Sequence, residues 1–468
     1  MITYRKGFPS PYSLLFRIHG AAWIRTILPA SLSAIMTVLL NVLGGDGANV
    51  PGIGGEDGWR HPYAYQTFAY IVGFAVVFRN GSAYQRYNQA RNDLQTISGK
   101  LVECVAQICC FDLLCSSESA KIKSTEFRRA FIHMVSLLHG VMFQYLRSDW
   151  NLENLRAHVP GKHPVQDSHK LPMVKKMLFS ASYWNTILCL QTTQYAQDVY
   201  NSLTPLLVVG GLEEEEKDAL YPLMDGGDLY IGHLAPAAVR VETIYSWLHR
   251  LILARTESGG LKTHPPILSR SYQVLSDAMN AFNQCRGVAD IPFPFPYSNA
   301  IVLVLVIYTV TVPILMWVWI TSLYFGAFLA FIATFTYWTL NEIARDLEDP
   351  FLYEPNDLPL PRIQFLFNER ILAIERETGG MERPPCQAAL CTTWLNQNGP
   401  LSYQTVESHG IYEKVDWSST PSDNTYFNCT VPPKRAMERI KTMRGSGVFG
   451  KTVFRNIQKI QRNLRDSL

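Results

Sequence analysis

The chain has 468 residues, with 42 Lys or Arg against 39 Asp or Glu, a formal net charge of +3. That excess is too small to argue for nucleic acid as a partner, and no basic-aromatic motif for one occurs. Charged residues are 17% of the chain, below the ~25% of soluble domains, so composition points to a membrane protein.

The N-terminus is basic. Arg5, Lys6, Arg17 and Arg25 precede the first acid, Asp46. It has no obvious cleavage site and runs straight into an apolar stretch, so it is read as a native cytoplasmic N-terminus rather than a targeting peptide. Residues 26–43 are apolar and make one short span, and 63–78 make a second. The Gly-rich turn between them carries Asp46, Glu56 and Asp57, whereas Arg79, Arg86 and Arg91 follow the second span. The positive-inside rule then places both ends of this hairpin in the cytoplasm or its equivalent.

Residues 79–290 show apolar positions at helical spacing in 94–114, 127–146, 183–207, 237–254 and 267–282, with no convincing strand pattern. Cys104, Cys109, Cys110 and Cys115 fall on a helical stretch and read as packing thiols. The nine cysteines contain no CxxC pair, and their odd number fits a reducing compartment. His158, His163 and His169 lie in a Pro-containing segment and are expected at the surface. Leu212 to Lys217 reads as an acid-rich helix start, where carboxylates suit the positive end of the dipole.

Ile291 to Asn341 is a run of 51 residues without Lys, Arg, Asp, Glu or His. It is long enough for two spans and a turn, at 297–318 and 322–341. Lipid offers backbone groups no partners, so both are expected as helices. This predicts four spans with both termini inside. From 376 the composition shifts to a tail that reads as largely disordered. Its basic end has amphipathic spacing at Phe449, Val453, Ile457, Ile460 and Leu464. That end suits a membrane surface, a neighbouring subunit or simple solvation. Gly445 to Thr452 satisfies G-x-x-x-x-G-K-[ST], but no strand precedes it and no sheet can form around it, so it is a chance match. No acid-base or nucleophile set is visible, and the chain is not expected to be an enzyme.

Tyr70, Phe74 and Phe78 are spaced i, i+4, i+8, which puts three aromatics on one helix face. Spacing alone reads as a packed core stripe. Their context changes that reading. The stretch Phe78-Arg-Asn-Gly-Ser-Ala-Tyr-Gln-Arg-Tyr87 resembles the bestrophin family of ion channels. So do Ile291-Pro-Phe-Pro-Phe-Pro-Tyr297 and Leu347-Glu-Asp-Pro-Phe351 followed by Pro355-Asn-Asp-Leu-Pro359, in the same order. The resemblance covers roughly residues 1–375, with 376–468 as a separate tail.

The resemblance implies an all-α membrane protein of four transmembrane helices with a large cytosolic helical region at 79–290. It implies a homopentamer around a central pore lined by the second span. Tyr70, Phe74 and Phe78 would form the pore neck and Ile267 the cytosolic aperture. Apolar rings can gate by dewetting, and aromatic edges can ease a poorly hydrated anion through. The implied activity is passive conduction of chloride, with bicarbonate or nitrate as further ions. A cation-selective channel of the bacterial type, or a non-conducting membrane scaffold, are the alternatives. Animal bestrophins hold Ca²⁺ in an acidic run after the fourth span. Here only Glu354 and Asp357 keep carboxylates, a possible remnant of that clasp, against the six to eight oxygens calcium wants. Plasma membrane, chloroplast thylakoid and other organelle membranes all suit such a protein.

Overall fold

The computed structural model describes residues 20–45, 63–113, 124–161, 193–220, 235–352 and 356–379. The tail with its Gly445–Thr452 stretch lies outside them, as do Glu354, Cys115, His163 and His169.

The described residues are mostly helical, as expected. The helices are α1 (Trp23–Gly44), α2 (Tyr63–Asp112), α3 (Ser124–Leu146), α4 (Thr193–Leu203) and α5 (Glu214–Leu220). They continue with α6 (Ala235–Glu257), α7 (Pro265–Asp290), α8 (Phe295–Trp319), α9 (Leu323–Glu348) and α10 (Leu360–Gly379).

Three of these, α1, α8 and α9, are long and apolar enough to cross a membrane. The second expected span, 63–78, is not among the three; Gln66, Arg79 and Asn80 dilute its hydropathy. It forms the first part of α2, which is 50 residues long and contains no proline to stop it. The stretch expected at 94–114 is the far part of the same rod. Val72, Val76, Ala83, Ala90, Ile97 and Leu101 are buried along one side of it throughout.

The membrane layer is inside out relative to a water-soluble core. On α1 the buried residues are Thr26, Ala30, Ser33 and Thr37, while Leu28, Leu32, Ile35, Leu39, Val42 and Leu43 are exposed. Only lipid solvates such a surface. The small polar face packs on Gly326, Ala330 and Thr334 of α9, all buried. Hydroxyls bridge the two helices: Thr26 Oγ1 and Thr339 Oγ1 are 2.9 Å apart, and Thr334 Oγ1 donates to Ser33 Oγ at 3.0 Å. Close helix approach through small residues, with polar contacts between them, is how membrane helices associate without a hydrophobic drive. Gly44 closes the C-terminal end of α1. A Cβ there would lie 2.5 Å from the Trp317 ring, whose Nε1 donates to Gly45 O at 2.9 Å.

The second layer packs α3, α6, α7 and α10 with the far part of α2 around one apolar core. The sequence reading has no strand, yet β1 (Leu155–Ala157) and β2 (Leu206–Val208) pair in parallel. Three residues on each side are too few to show an alternating pattern. Buried polar groups stitch this layer together. His139 lies between Phe143 and Phe367, with ring centroids 4.2 and 3.9 Å away, and bonds to Ser98 at 2.9 Å and to Gln364. Gln364 and Asn368 both donate to Leu207 O at 2.8 Å, and Val209 N donates to Ser136 Oγ. His158 corrects a surface expectation: it is buried, with Nε2 3.0 Å from Glu369.

Candidate pore wall and its anchor

Tyr70, Phe74 and Phe78 are 78%, 74% and 56% exposed, so the single chain leaves this face of α2 uncovered. They are therefore not the packed stripe that spacing alone suggests. Phe74 and Phe78 stack with ring centroids 6.4 Å apart, and Phe78 meets the Tyr297 ring edge-on at 6.0 Å. The opposite side carries Val72 and Val76, which pack on Ile301, Leu305 and Tyr308 of α8. Gly73 lets α9 come close, since a Cβ there would meet the Tyr337 hydroxyl at 3.1 Å.

One residue beyond Phe78, the helix turns Arg79 to the buried side. Its Nε and Nη2 donate to the two carboxylate oxygens of Glu348 at 2.8 and 3.2 Å. Its Nη1 donates to Asn341 Oδ1 at 2.6 Å and its Nη2 to Ser298 Oγ at 3.3 Å. A planar guanidinium meeting a carboxylate on two prongs fixes angle as well as distance. Two turns on, Arg86 donates to three backbone carbonyls: Glu348 O at 2.8 Å, Val288 O and Ile291 O. The three sequence motifs singled out above thus converge on one junction. α2 is gripped there by the end of α9 and by the link between α7 and α8. Asp349 sits in this junction, and burial pushes its carboxyl above the usual range; Arg86 pulls it back down and Glu348 pushes it further up.

Ile267 is exposed in the first turn of α7, just after Pro265 and Pro266. α7 runs antiparallel to α2: Cys285 Sγ lies 3.8 Å from Ala90 O, and Ser271 Oγ donates to Gln107 at 2.8 Å. Ile267 is therefore set near the far end of α2, about 50 Å along the rod from Phe78 at ~1.5 Å per residue. The expected neck and aperture residues stand at opposite ends of one helix and do not touch.

Asp357 is buried close to Tyr87, whose hydroxyl donates to Asn356 O at 3.3 Å. Among the described residues no group of three or more His, Cys, Asp or Glu side chains is placed to hold a metal ion. The Arg79–Glu348 lock escaped sequence reasoning. Its signal was a basic residue at the edge of a span, one step from an aromatic stripe, with an acid at the matching edge of another span.

Residues 205–372 match the sequence model of the family described as Bacterial/Fungal Bestrophin protein. That segment holds the second and third motifs and not the neck. Among solved structures, a single-substitution variant of a bacterial bestrophin homolog from Klebsiella pneumoniae has a TM-score of 0.50 at 14% identity. The match covers 75% of this chain and 97% of that one. Another crystal structure of the homolog from this organism has a TM-score of 0.48 at 15% identity, over 76% and 97% of the two chains. Curated proteins contain no match to the chain.

Proposed function

We propose that this chain, a relative of the bestrophins by its fold and by the sequence of residues 205–372, forms a passive anion channel. Bestrophins are ion channels, and the finer points are our reading. Five copies surround one axial pore, with α2 as the wall. Tyr70, Phe74 and Phe78 make the neck, and Ile267 makes the cytosolic aperture. Chloride is the principal ion, with bicarbonate and nitrate as further candidates. Four spans cross the membrane, the second being the first part of α2.

The observation that carries this is the uncovered aromatic face of α2. An apolar face of three aromatics must be covered by lipid, by a partner or by itself through symmetry. α1 and α8 already offer mainly aliphatic lipid-facing surface, and α9 exposes Tyr324, Phe325, Phe328 and Ile332. The aromatic face is instead fixed in direction by a buried two-pronged ion pair one residue away. Such fixation suits a constriction, where a small rotation would change the bore. Charge supports the anion reading: the only acid between residues 63 and 99 is Asp93, which is buried.

The test is reconstitution of the purified chain in planar bilayers under a KCl gradient. A reversal potential near the chloride equilibrium value is expected. A value near that of potassium would favour the cation-selective reading, and an assembled but silent protein would favour the scaffold. A calcium titration between nanomolar and micromolar leaves the current unchanged if Glu354 and Asp357 hold no ion.

A further inference from the structure

The face of α2 that carries Tyr70, Phe74 and Phe78 continues past them. At 3.6 residues per turn, Gln85, Asn88, Asn92 and Gln95 fall on the same side. Gln85, Asn92 and Gln95 are exposed and Asn88 is half-buried. Below the aromatics the wall is therefore carboxamide. Two arginines of the stretch, Arg79 and Arg86, are turned away and occupied by Glu348 and by backbone carbonyls. Arg91 differs: it is exposed at the edge of this face, and its Nη2 donates to Asn92 Oδ1 at 3.3 Å.

That contact has a chemical consequence. A carboxamide ordinarily presents both a donor and an acceptor, but a guanidinium has no acceptor. Asn92 must therefore turn its oxygen to Arg91, which leaves its NH₂ as the outward group. The pair then presents N–H donors and a positive charge.

We propose that Arg91 and Asn92 form an anion-contact station on the pore wall, about 21 Å below Phe78 along α2 at ~1.5 Å per residue. The proposal rests on the pore reading above and adds residues that set selectivity. An ion that has passed the apolar neck, or is about to enter it, meets donors that replace part of its water shell. Chloride and nitrate both accept such bonds, and the Arg91 charge repels a monovalent cation. Five copies would repeat the station around the axis.

The experiment compares the parent protein with Arg91→Ala, Arg91→Lys and Asn92→Asp in bilayers under a KCl gradient, after size-exclusion confirms equal assembly. A severalfold fall in the chloride-to-potassium permeability ratio is expected for Arg91→Ala and Asn92→Asp, with Arg91→Lys keeping most of it. In Asn92→Cys, a negatively charged thiol reagent added from the cytosolic side should lower the current, measured against the parent treated in the same way. An anion-selective parent whose ratio survives Arg91→Ala and Asn92→Asp overturns the station and spares the channel. Full labelling of Asn92→Cys without a change in current does the same. A parent without current overturns the pore reading, and the station with it.

Discussion

Arg79 and Glu348 form a two-pronged buried ion pair, 2.8 and 3.2 Å, between residues 269 positions apart in the chain. The Glu348 backbone carbonyl also takes Arg86, so this one residue holds α2 at two successive points. Removing one partner of such a pair leaves the other as an uncompensated charge, which costs about 3–5 kcal/mol. Glu348→Gln and Arg79→Ala should both lower the melting temperature of the detergent-solubilised protein. Arg79→Lys should recover little, because an ammonium cannot reproduce the fork. Unchanged melting in all three variants would show that the junction does not hold the helix.

The residues proposed for the neck make the opposite prediction for stability. Phe74 and Phe78 are exposed on the single chain, so truncating them should change folding stability by no more than about 0.5 kcal/mol. Their effect should appear in current. On the proposed pore, Phe74→Ala and Phe78→Ala should widen the apolar ring, lower its dewetting barrier and raise open probability or leak severalfold. Patch recordings with parent-like gating in both variants would place the constriction elsewhere.

His139 should make the layer that α3 and α10 build acid-sensitive. Burial is the larger influence on it and its bond to Gln364 the lesser, and together they bring its pKa down to about 3. The unfolded chain takes up this proton near pH 6.5, while the folded chain refuses it until about pH 3. Stability therefore falls as pH drops through this interval, by up to about 1.4 kcal/mol per unit. His139→Gln should flatten that part of the pH profile measured by thermal denaturation. At neutral pH it should still cost about 1–3 kcal/mol, because Ser98 and Gln364 lose a partner.

His133 and Glu216 tie α3 to α5 at 2.8 Å, and Glu216 also accepts from Glu213 N at the start of α5. Burial opposes charge on His133, but its bonds to Glu216 and to Val209 O prevail and raise its pKa. Burial likewise opposes charge on Glu216, and His133 prevails and lowers it. The His133 contribution is complete below pH 6.5 and is lost as pH rises through its raised pKa. The Glu216 contribution is complete above pH 4.5 and is lost as pH falls through its lowered pKa. Glu216→Gln should therefore be most destabilising between pH 4.5 and 6.5 and progressively less so above. A penalty that grows with pH in thermal denaturation would contradict the pairing.

The amino-acid sequence by itself determined the environment and the periods. A run of 51 residues without charge can only be lipid-embedded helices, and the i, i+4, i+8 aromatics can only share one helix face. Both facts belong to contiguous residues, so no partner is needed to read them. The tertiary structure decided which faces are covered. It left Tyr70, Phe74 and Phe78 open where spacing alone favours a core stripe, and it turned Arg79, the next residue along, into a buried anchor. It joined the stretches at 63–78 and 94–114 into one rod, buried His158 against Glu369, and paired two three-residue strands. Each of these outcomes depends on groups far apart in the chain, Arg79 with Glu348 or Leu207 with Gln364, and a local period carries no information about a partner hundreds of residues away.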